Sequence, residues 1–342
     1  MLATFDKSLF RLRPSKAFSR LLAYFLFEGR PLTTKGRWFN PVVFLFLNLI
    51  KHIPFRRSGF APVFIVGMGR SGTTVLGKVL AVHNNVAYLN EPKAMWHVAY
   101  PNEDIIGNYT VSPAKYIMTE SDFDASGSKV LERLYRVFLA FTGSNTLVDK
   151  YPELVFRGDF VLRMFPKARF IFIYRNGVDS CASIATWSHD HMTENHESKA
   201  NWWGLNDKKW KSLIAQVAGT DSSLAPYLDE IALSNNDAER AAVEWILSMK
   251  AGIELCEKYP QSVISVKYEE LCAEPEKEIV RILSFIGLDT QDEIVLDYAR
   301  STLHDNRKNN VSPSLNDGVK RAFDTVTAKL GYTPVVHVDD TL

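Results

Sequence analysis

The chain has 342 residues, and its 40 Lys and Arg residues nearly balance 39 Asp and Glu residues, which leaves a formal charge of +1. Apolar residues make up 46% of the chain and charged residues 23%, as in ordinary globular proteins. This composition excludes a disordered chain, a collagen-like repeat and a histone-like polycation. The three cysteines, Cys181, Cys256 and Cys272, are too few for a disulfide framework and form no CxxC pair. We therefore expect a reduced, cytoplasmic protein with a large core.

Residues 1–60 differ in charge from the rest of the chain. They contain eleven Lys and Arg residues but only two acids, Asp6 and Glu28, for a net charge of +9. Two apolar runs, at 21–27 and 41–50, are shorter than the roughly 20 residues that a membrane-spanning helix needs. The first residues lack the apolar block of a signal peptide, so none is expected. This basic arm is predicted either to pack on the core as a helical flap or to make peripheral contact with a membrane.

From residue 61 onward, short apolar runs alternate with amphipathic stretches. Strands are predicted at 63–66, 86–89, 146–148, 169–174 and 262–266. Helices are predicted at 73–82, 128–141, 153–165, 178–187, 237–258, 276–286 and 292–300. This alternation implies right-handed βαβ units. We therefore predict an α/β, P-loop three-layer fold with a mostly parallel central sheet flanked by helices, as a single domain over residues 61–342.

The sequence Gly-Met-Gly-Arg-Ser-Gly-Thr-Thr at residues 67–74 lies between a predicted strand and a predicted helix. Glycines let the backbone N–H groups of such a loop converge on an anion, and the positive end of the helix adds to the attraction. The spacing resembles a Walker A loop, but Thr73 stands where that motif requires the lysine that contacts β- and γ-phosphates. The positive charge is instead at Arg70. The loop therefore predicts a site for a phosphate without a γ-phosphoryl group, and a P-loop kinase or NTPase is the alternative.

A second motif at residues 170–183 consists of a strand, then Arg175 and, on the following helix, Ser183. Together with the glycine loop, it resembles the nucleotide motifs of the sulfotransferases, which use 3′-phosphoadenosine-5′-phosphosulfate (PAPS) as sulfonate donor. This resemblance covers about residues 61–290 and implies a PAPS-dependent enzyme that requires no metal. It implies that Arg175 and Ser183 bind the 3′-phosphate of the donor. The loop residues that it assigns to the 5′-phosphosulfate are Gly69, Arg70, Ser71, Gly72, Thr73 and Thr74.

Two further residues resemble the catalytic pair of the protein-tyrosine sulfotransferases and bacterial-type sulfotransferases. Glu91 lies 21 residues beyond Arg70, and Lys150 lies 25 residues before Arg175. The resemblance implies that Glu91 is the general base for a hydroxyl or amine acceptor. It also implies that Lys150 and Arg70 stabilise the charge on the leaving 3′,5′-bisphosphate, PAP. The alternatives are a capping carboxylate for Glu91, a solvated lysine for Lys150 and, for the whole chain, a non-catalytic nucleotide-binding protein.

Other polar residues give weaker signals. His189, His191 and His196 lack the regular spacing of a metal site, so no metal is expected and a loop over the acceptor pocket is predicted. Arg307 and Lys308 stand in a polar segment where the family often has another basic contact to the nucleotide.

The acceptor is not identified by any motif. Trp202, Trp203 and Trp210 are predicted either to line the acceptor pocket or to seal the core beside it. The basic arm is compatible with binding to nucleic acid, but the sequence contains no known RNA-binding or DNA-binding module, so we expect no nucleic-acid partner.

Overall fold

The computed structural model describes residues 7–55, 59–194, 198–304 and 312–333. Its strands in these segments are β1 (Val63–Gly67), β2 (Val86–Asn90), β3 (Thr146–Lys150), β4 (Arg169–Tyr174), β5 (Thr193–Glu194), β6 (Lys199–Asn201), β7 (Gly204–Leu205) and β8 (Val263–Lys267). Five of them form a parallel central sheet in the order β2-β3-β1-β4-β8. The short strands β5, β6 and β7 form a separate antiparallel sheet.

Helices surround the central sheet. The α-helices of the described segments are α1 (Lys7–Leu12), α2 (Pro14–Leu22), α3 (Asn40–Ile50), α4 (Thr73–Val82), α5 (Lys93–Ala99), α6 (Ala125–Thr142), α7 (Gly158–Met164), α8 (Gly177–Asp190), α9 (Lys208–Gln216), α10 (Leu228–Leu233), α11 (Asp237–Lys258), α12 (Tyr268–Ala273), α13 (Pro275–Ile286), α14 (Glu293–Thr302) and α15 (Asp317–Lys329). A π-helix at Ala23–Phe27 continues α2, and a 3₁₀-helix at Lys35–Phe39 precedes α3.

The central strands are buried on both faces. Along β1, Phe64 and Val66 join an apolar cluster that includes residues of α8 and α11. Val63 and Ile65 join the other cluster, which includes residues of α4, α13 and α14. Near-continuous apolar strands are typical of parallel sheets that are covered by helices on both sides. The predicted three-layer α/β fold is therefore confirmed.

Most predicted elements match the structure closely, and the helix predicted at 153–165 is wrong in its first half. Pro152–Arg157 is a 3₁₀-helix, and α7 begins only at Gly158. Arg157 lies at this break with φ −130° and ψ 24°. Its fully buried guanidinium donates to the carbonyl oxygens of Tyr116 at 3.1 Å and Lys115 at 2.9 Å. We infer that satisfying this buried charge favours the departure from α-helical geometry at Arg157.

The N-terminal arm packs on the core. Ala23, Phe27, Val43 and Leu47 are fully buried in the larger apolar cluster. In the described part of the chain, no helix combines the length and the apolar content that a bilayer crossing requires. Apolar side chains of the arm are therefore part of the hydrophobic core.

Several basic residues of the arm point inward. Lys16 donates to the Val86 carbonyl oxygen at 3.1 Å and to the Ser144 hydroxyl at 2.8 Å. Arg20 forms an ion pair with Glu28 at 2.7 Å, and both side chains are only 4% exposed. The ion pair neutralises the charge of Arg20, and the hydrogen bonds satisfy the ammonium group of Lys16. The sequence alone would suggest that both charges lie on the surface.

The buried ion pair between Arg20 and Glu28 generates a stability prediction. We expect Arg20→Ala to lower the free energy of unfolding by about 3–5 kcal/mol, because it leaves the Glu28 carboxylate buried without its partner. As a control, Arg300→Ala removes an exposed pair with Glu276 and is expected to cost about 0–1 kcal/mol. Urea denaturation monitored by circular dichroism measures both values. Equal effects of the two substitutions would contradict a structural role for the arm's ion pair.

Candidate active site

The glycine loop joins β1 to α4 and leaves the helix N-terminus open. Gly72 precedes the helix with φ 93°, and no side chain caps the helix there. A Cβ atom at Gly69 would lie 2.4 Å from the Trp202 ring, and one at Gly72 would lie 2.3 Å from the Tyr268 ring. Both positions therefore require glycine in this packing. The backbone N–H groups of the first turn of α4 are suited to binding an anion.

Three polar residues of the two predicted nucleotide motifs lie together. Arg70 Nε donates to Ser183 Oγ at 3.0 Å, and an Arg175 Nη donates to the Arg70 carbonyl oxygen at 3.4 Å. Burial and the neighbouring Arg175 charge both lower the pKa of Arg70. Two mutually repelling guanidinium groups in one place favour the binding of a multiply charged anion.

One orphaned atom supports the fit of a phosphate to this site. Arg175 Nε is buried, and the structure gives it no hydrogen-bond partner. Buried donors without partners are rare because each one costs desolvation energy. The guanidinium of Arg175 also lies 4.7 Å from the centre of the Tyr268 ring, which holds it at the end of β4. A phosphate oxygen beside Arg175 would accept a hydrogen bond from this nitrogen.

Glu91 follows β2 directly and contacts two lysines. Its backbone is left-handed, with φ 52°, and its N–H donates to the Lys150 carbonyl oxygen at 2.7 Å. Lys150 Nζ, at the end of β3, forms an ion pair with Glu91 Oε1, and Lys93 Nζ lies 3.5 Å from Glu91 Oε2. Non-glycine residues in left-handed conformations are concentrated at functional sites. The two predicted catalytic residues therefore form one ion-paired unit.

The charges around Glu91 set its protonation state. Burial opposes ionisation of the carboxyl group, but the ammonium groups of Lys150 and Lys93 outweigh it and hold the pKa of Glu91 at about 2. Its side chain nevertheless keeps 38% of its surface accessible. Lys93 also lies 3.5 Å from Glu153, and its neighbouring carboxylates raise its pKa despite its burial. Glu91 is therefore ionised and accessible throughout the neutral pH range.

A single cavity of about 610 Å³ connects these groups. Of the residues predicted from the sequence, those that line it are Gly69, Arg70, Gly72, Thr73, Thr74, Glu91, Lys150, Arg175 and Ser183. Ser71 is the exception, since its side chain is fully buried and does not line the cavity. The cavity is also lined by Tyr24 and residues 28–34 of the arm, by Ile106, Asn108 and Tyr109, and by Trp187 and Trp202.

Sequence reasoning missed several residues of this cavity. Lys93 comes two residues after Glu91 in the sequence, and this short spacing could have indicated that it belongs to the site. The arm segment 28–34 carries no motif that would have placed it at the site. The sequence did indicate three tryptophans that either line the pocket or seal the core. Of these, Trp202 lines the cavity, whereas Trp203 and Trp210 are buried in the core.

Of the histidines and late basic residues noted in the sequence, the structure describes only His189 and His191. His189 and His191 are exposed, and the ring of His191 stacks on Trp187 at a centroid distance of 4.7 Å. His196, Arg307 and Lys308 lie outside the described residues. Within the residues that are described, no group of three His, Cys, Asp or Glu side chains is arranged to hold a metal ion.

The chain is similar to two known proteins over part of their length. The chain is 24% identical over 234 residues to the nodulation protein NoeE of Sinorhizobium fredii, and the match covers 66% of this chain and 50% of that protein. It is 24% identical over 254 residues to an uncharacterized protein of Aquifex aeolicus, of which the match covers 27%. The chain thus spans half or less of the length of these two relatives.

Solved structures with a similar fold include the sulfotransferase domain from the curacin biosynthetic pathway. It shares 13% identity, and the match covers 81% of this chain and 100% of that domain with a TM-score of 0.48. A sulfotransferase from Mycobacterium avium shares 13% identity over 96% of each chain, with a TM-score of 0.45. The model of the sulfotransferase family matches residues 62–292, which is more than half of the chain. The chain therefore belongs to the sulfotransferase family.

Proposed function

We propose that this sulfotransferase moves the sulfonate group of PAPS to a hydroxyl or amine acceptor and releases PAP. The observation that carries the proposal is the common cavity of the Glu91–Lys150 pair and the two nucleotide motifs. We further propose that residues 61–342 form the sulfotransferase domain and that the arm completes its acceptor side. A non-catalytic nucleotide-binding protein would have no need of a carboxylate–lysine pair beside its phosphate site.

The donor is proposed to bind through the loop and the β4–α8 motif. The uncapped N-terminus of α4, together with Arg70, Thr73 and Thr74, would hold the 5′-phosphosulfate. Arg175 and Ser183 would hold the 3′-phosphate, which ATP and GTP lack. The side chain of Ser71 is not assigned to the donor, because it is buried and does not line the cavity.

The ion pair between Glu91 and Lys150 gives these residues linked roles in the proposed mechanism. The acceptor oxygen or nitrogen forms a bond to sulfur while the bond from sulfur to the bridging phosphate oxygen breaks. Lys150 and Arg70 stabilise the negative charge that grows on that oxygen. As the Lys150 ammonium turns to this charge, its attraction to Glu91 weakens and the pKa of the carboxylate rises. Glu91 then takes the acceptor's proton.

The first prediction of the proposed function concerns the donor. We expect PAP to raise the thermal midpoint of the protein, because ligand at a hundredfold excess over Kd stabilises the fold by about 2.7 kcal/mol. ADP, or ATP or GTP with magnesium, should have little effect at the same concentration, and Arg175→Ala should abolish the shift by PAP. Differential scanning fluorimetry measures all of these shifts, with the distant Arg300→Ala as control. Equal shifts by ATP and PAP would instead favour a kinase.

The second prediction concerns the base. Glu91→Gln keeps the size of the side chain but removes its proton acceptor, so kcat should fall about 10²–10⁴-fold. PAP affinity should not decrease, because the substitution removes a negative charge from an anion site. The control is Glu278→Gln, which disrupts a carboxylate ion pair with Arg281 outside the cavity. Measurement requires an acceptor found by screening with labelled PAPS. If Glu91→Gln has the same kcat as the unsubstituted enzyme, Glu91 has a structural role and is not the base.

The third prediction concerns pH. Because Glu91 has a pKa of about 2, its basic form is fully populated above about pH 4 and kcat/KM should show no acidic limb from this group. In Lys150→Met, burial continues to oppose ionisation while the main stabilising charge is lost, so the pKa should rise and an acidic limb should appear. Profiles of kcat/KM against pH, each scaled to its own plateau, test this, with Lys277→Met as control. If the pH profiles of the unsubstituted enzyme and Lys150→Met have the same acidic limb, Lys150 does not control the pKa of Glu91.

A further inference from the structure

One side of the arm exposes an unusual amount of apolar surface. Ten of the fifteen large exposed hydrophobic residues of the described chain lie between residues 10 and 55. Among them, Trp38 is 78% exposed, Leu45 63% and Leu49 67%. We call the surface formed by Phe25, Trp38, Val42, Leu45 and Leu49 the α3 face. Contiguous exposed apolar surface of this kind marks an interaction site in soluble proteins.

The spacing of these residues shows that the α3 face is one side of a fixed helix. Trp38, Val42, Leu45 and Leu49 recur at intervals of four, three and four residues, which places them on one side of α3 and the turn before it. The opposite side of α3 is anchored, because Val43, Leu47 and Ile50 are buried in the core. A surface helix ordinarily directs polar residues outward. Here the exposed residues of α3 are apolar except for Asn48.

The charges of the arm identify the kind of partner. Glu28 is the only acid between residues 7 and 55, and it is buried against Arg20. The described surface of this segment therefore carries no carboxylate, while Arg11 and Arg37 are exposed and the partly exposed Lys51 follows α3. Apolar residues with tryptophan and flanking bases, without acids, match the headgroup region of an anionic bilayer.

We propose that the α3 face binds the surface of an anionic membrane, with α3 lying in the interfacial plane. The proposal goes beyond the sulfonyl transfer and does not depend on it. The α3 face also reaches the cavity through a series of aromatic contacts. Trp38 contacts Phe39 at 5.7 Å, Phe39 contacts Phe25 at 6.2 Å, and Phe25 contacts Tyr24 at 5.2 Å between ring centroids. Because Tyr24 lines the cavity, membrane binding would bring the acceptor side of the site close to the lipid headgroups.

The test is sedimentation of the full chain with vesicles of phosphatidylcholine, with and without phosphatidylglycerol. We expect binding to the anionic vesicles that weakens as salt is added. The double variant Leu45→Ser/Leu49→Ser should bind at least about tenfold more weakly, because two leucines no longer enter the interface. The matched control is Val111→Ser/Leu233→Ser, which changes two residues with 83% and 79% exposure outside the arm. The control should bind like the parent.

Tryptophan emission provides a second readout that does not depend on the leucine variants. Anionic vesicles should shift the emission to shorter wavelength, and Trp38→Phe should remove most of the shift. Unchanged thermal midpoints would show that the variants are folded. The proposal is overturned if the parent stays in the supernatant at low salt, or if both double variants bind equally. It is also overturned if the α3 face mediates a dimer, seen in sedimentation velocity as self-association lost only in Leu45→Ser/Leu49→Ser.

Discussion

The parallel register of β2, β3 and β1 determines where the proposed catalytic residues lie. Asn90 at the end of β2 pairs with Lys150 at the end of β3, and Lys150 also pairs with Ile65 of β1. Glu91, which follows Asn90, therefore lies beside Lys150. The residue of β1 that pairs with Lys150 comes two positions before Gly67, where β1 ends and the phosphate loop begins. A slip of one residue would move Lys150 to the opposite face of the sheet. Asp149 opposes such a slip, because its carboxylate accepts hydrogen bonds from the buried side chains of Trp96 and Tyr135 on the other face.

The arm supports this arrangement through hydrogen bonds to β2 and to the start of α5. The Glu28 carboxylate accepts the N–H of Asn90 at 2.7 Å, and the Glu28 carbonyl oxygen accepts the N–H of Ala94 at 3.2 Å. These two bonds bracket the left-handed turn at Glu91. Arg20 neutralises the Glu28 carboxylate and donates to the Tyr88 carbonyl oxygen on the same strand. The segment that forms one wall of the cavity thus also constrains the backbone that carries the proposed base.

Local patterns predicted the sheet, the glycine loop and the β4–α8 motif, because each depends on residues close together in the sequence. The arm's position depends on contacts between residues far apart in the sequence. Lys16, for example, contacts Val86, which is 70 positions away, and Ser144, which is 128 positions away. No periodicity encodes such contacts. The strands β5 and β7 contain two residues each, too few to show a period. Arg157 breaks a helix that its neighbours favour, because a tertiary contact outweighs local propensity there.

Counting charges along the sequence overstates the basic surface of the arm. Four of its eleven basic residues, Arg13, Lys16, Arg20 and Arg30, are buried, so the net charge of +9 overstates what the surface presents. Arg30, for example, lies over the Tyr24 ring at 3.4 Å and donates to the Gly29 carbonyl oxygen. The same fold that buries these charges leaves Trp38, Leu45 and Leu49 exposed. Any affinity of the arm for a surface therefore depends mainly on apolar contact, with the exposed bases deciding which headgroup charge is favoured.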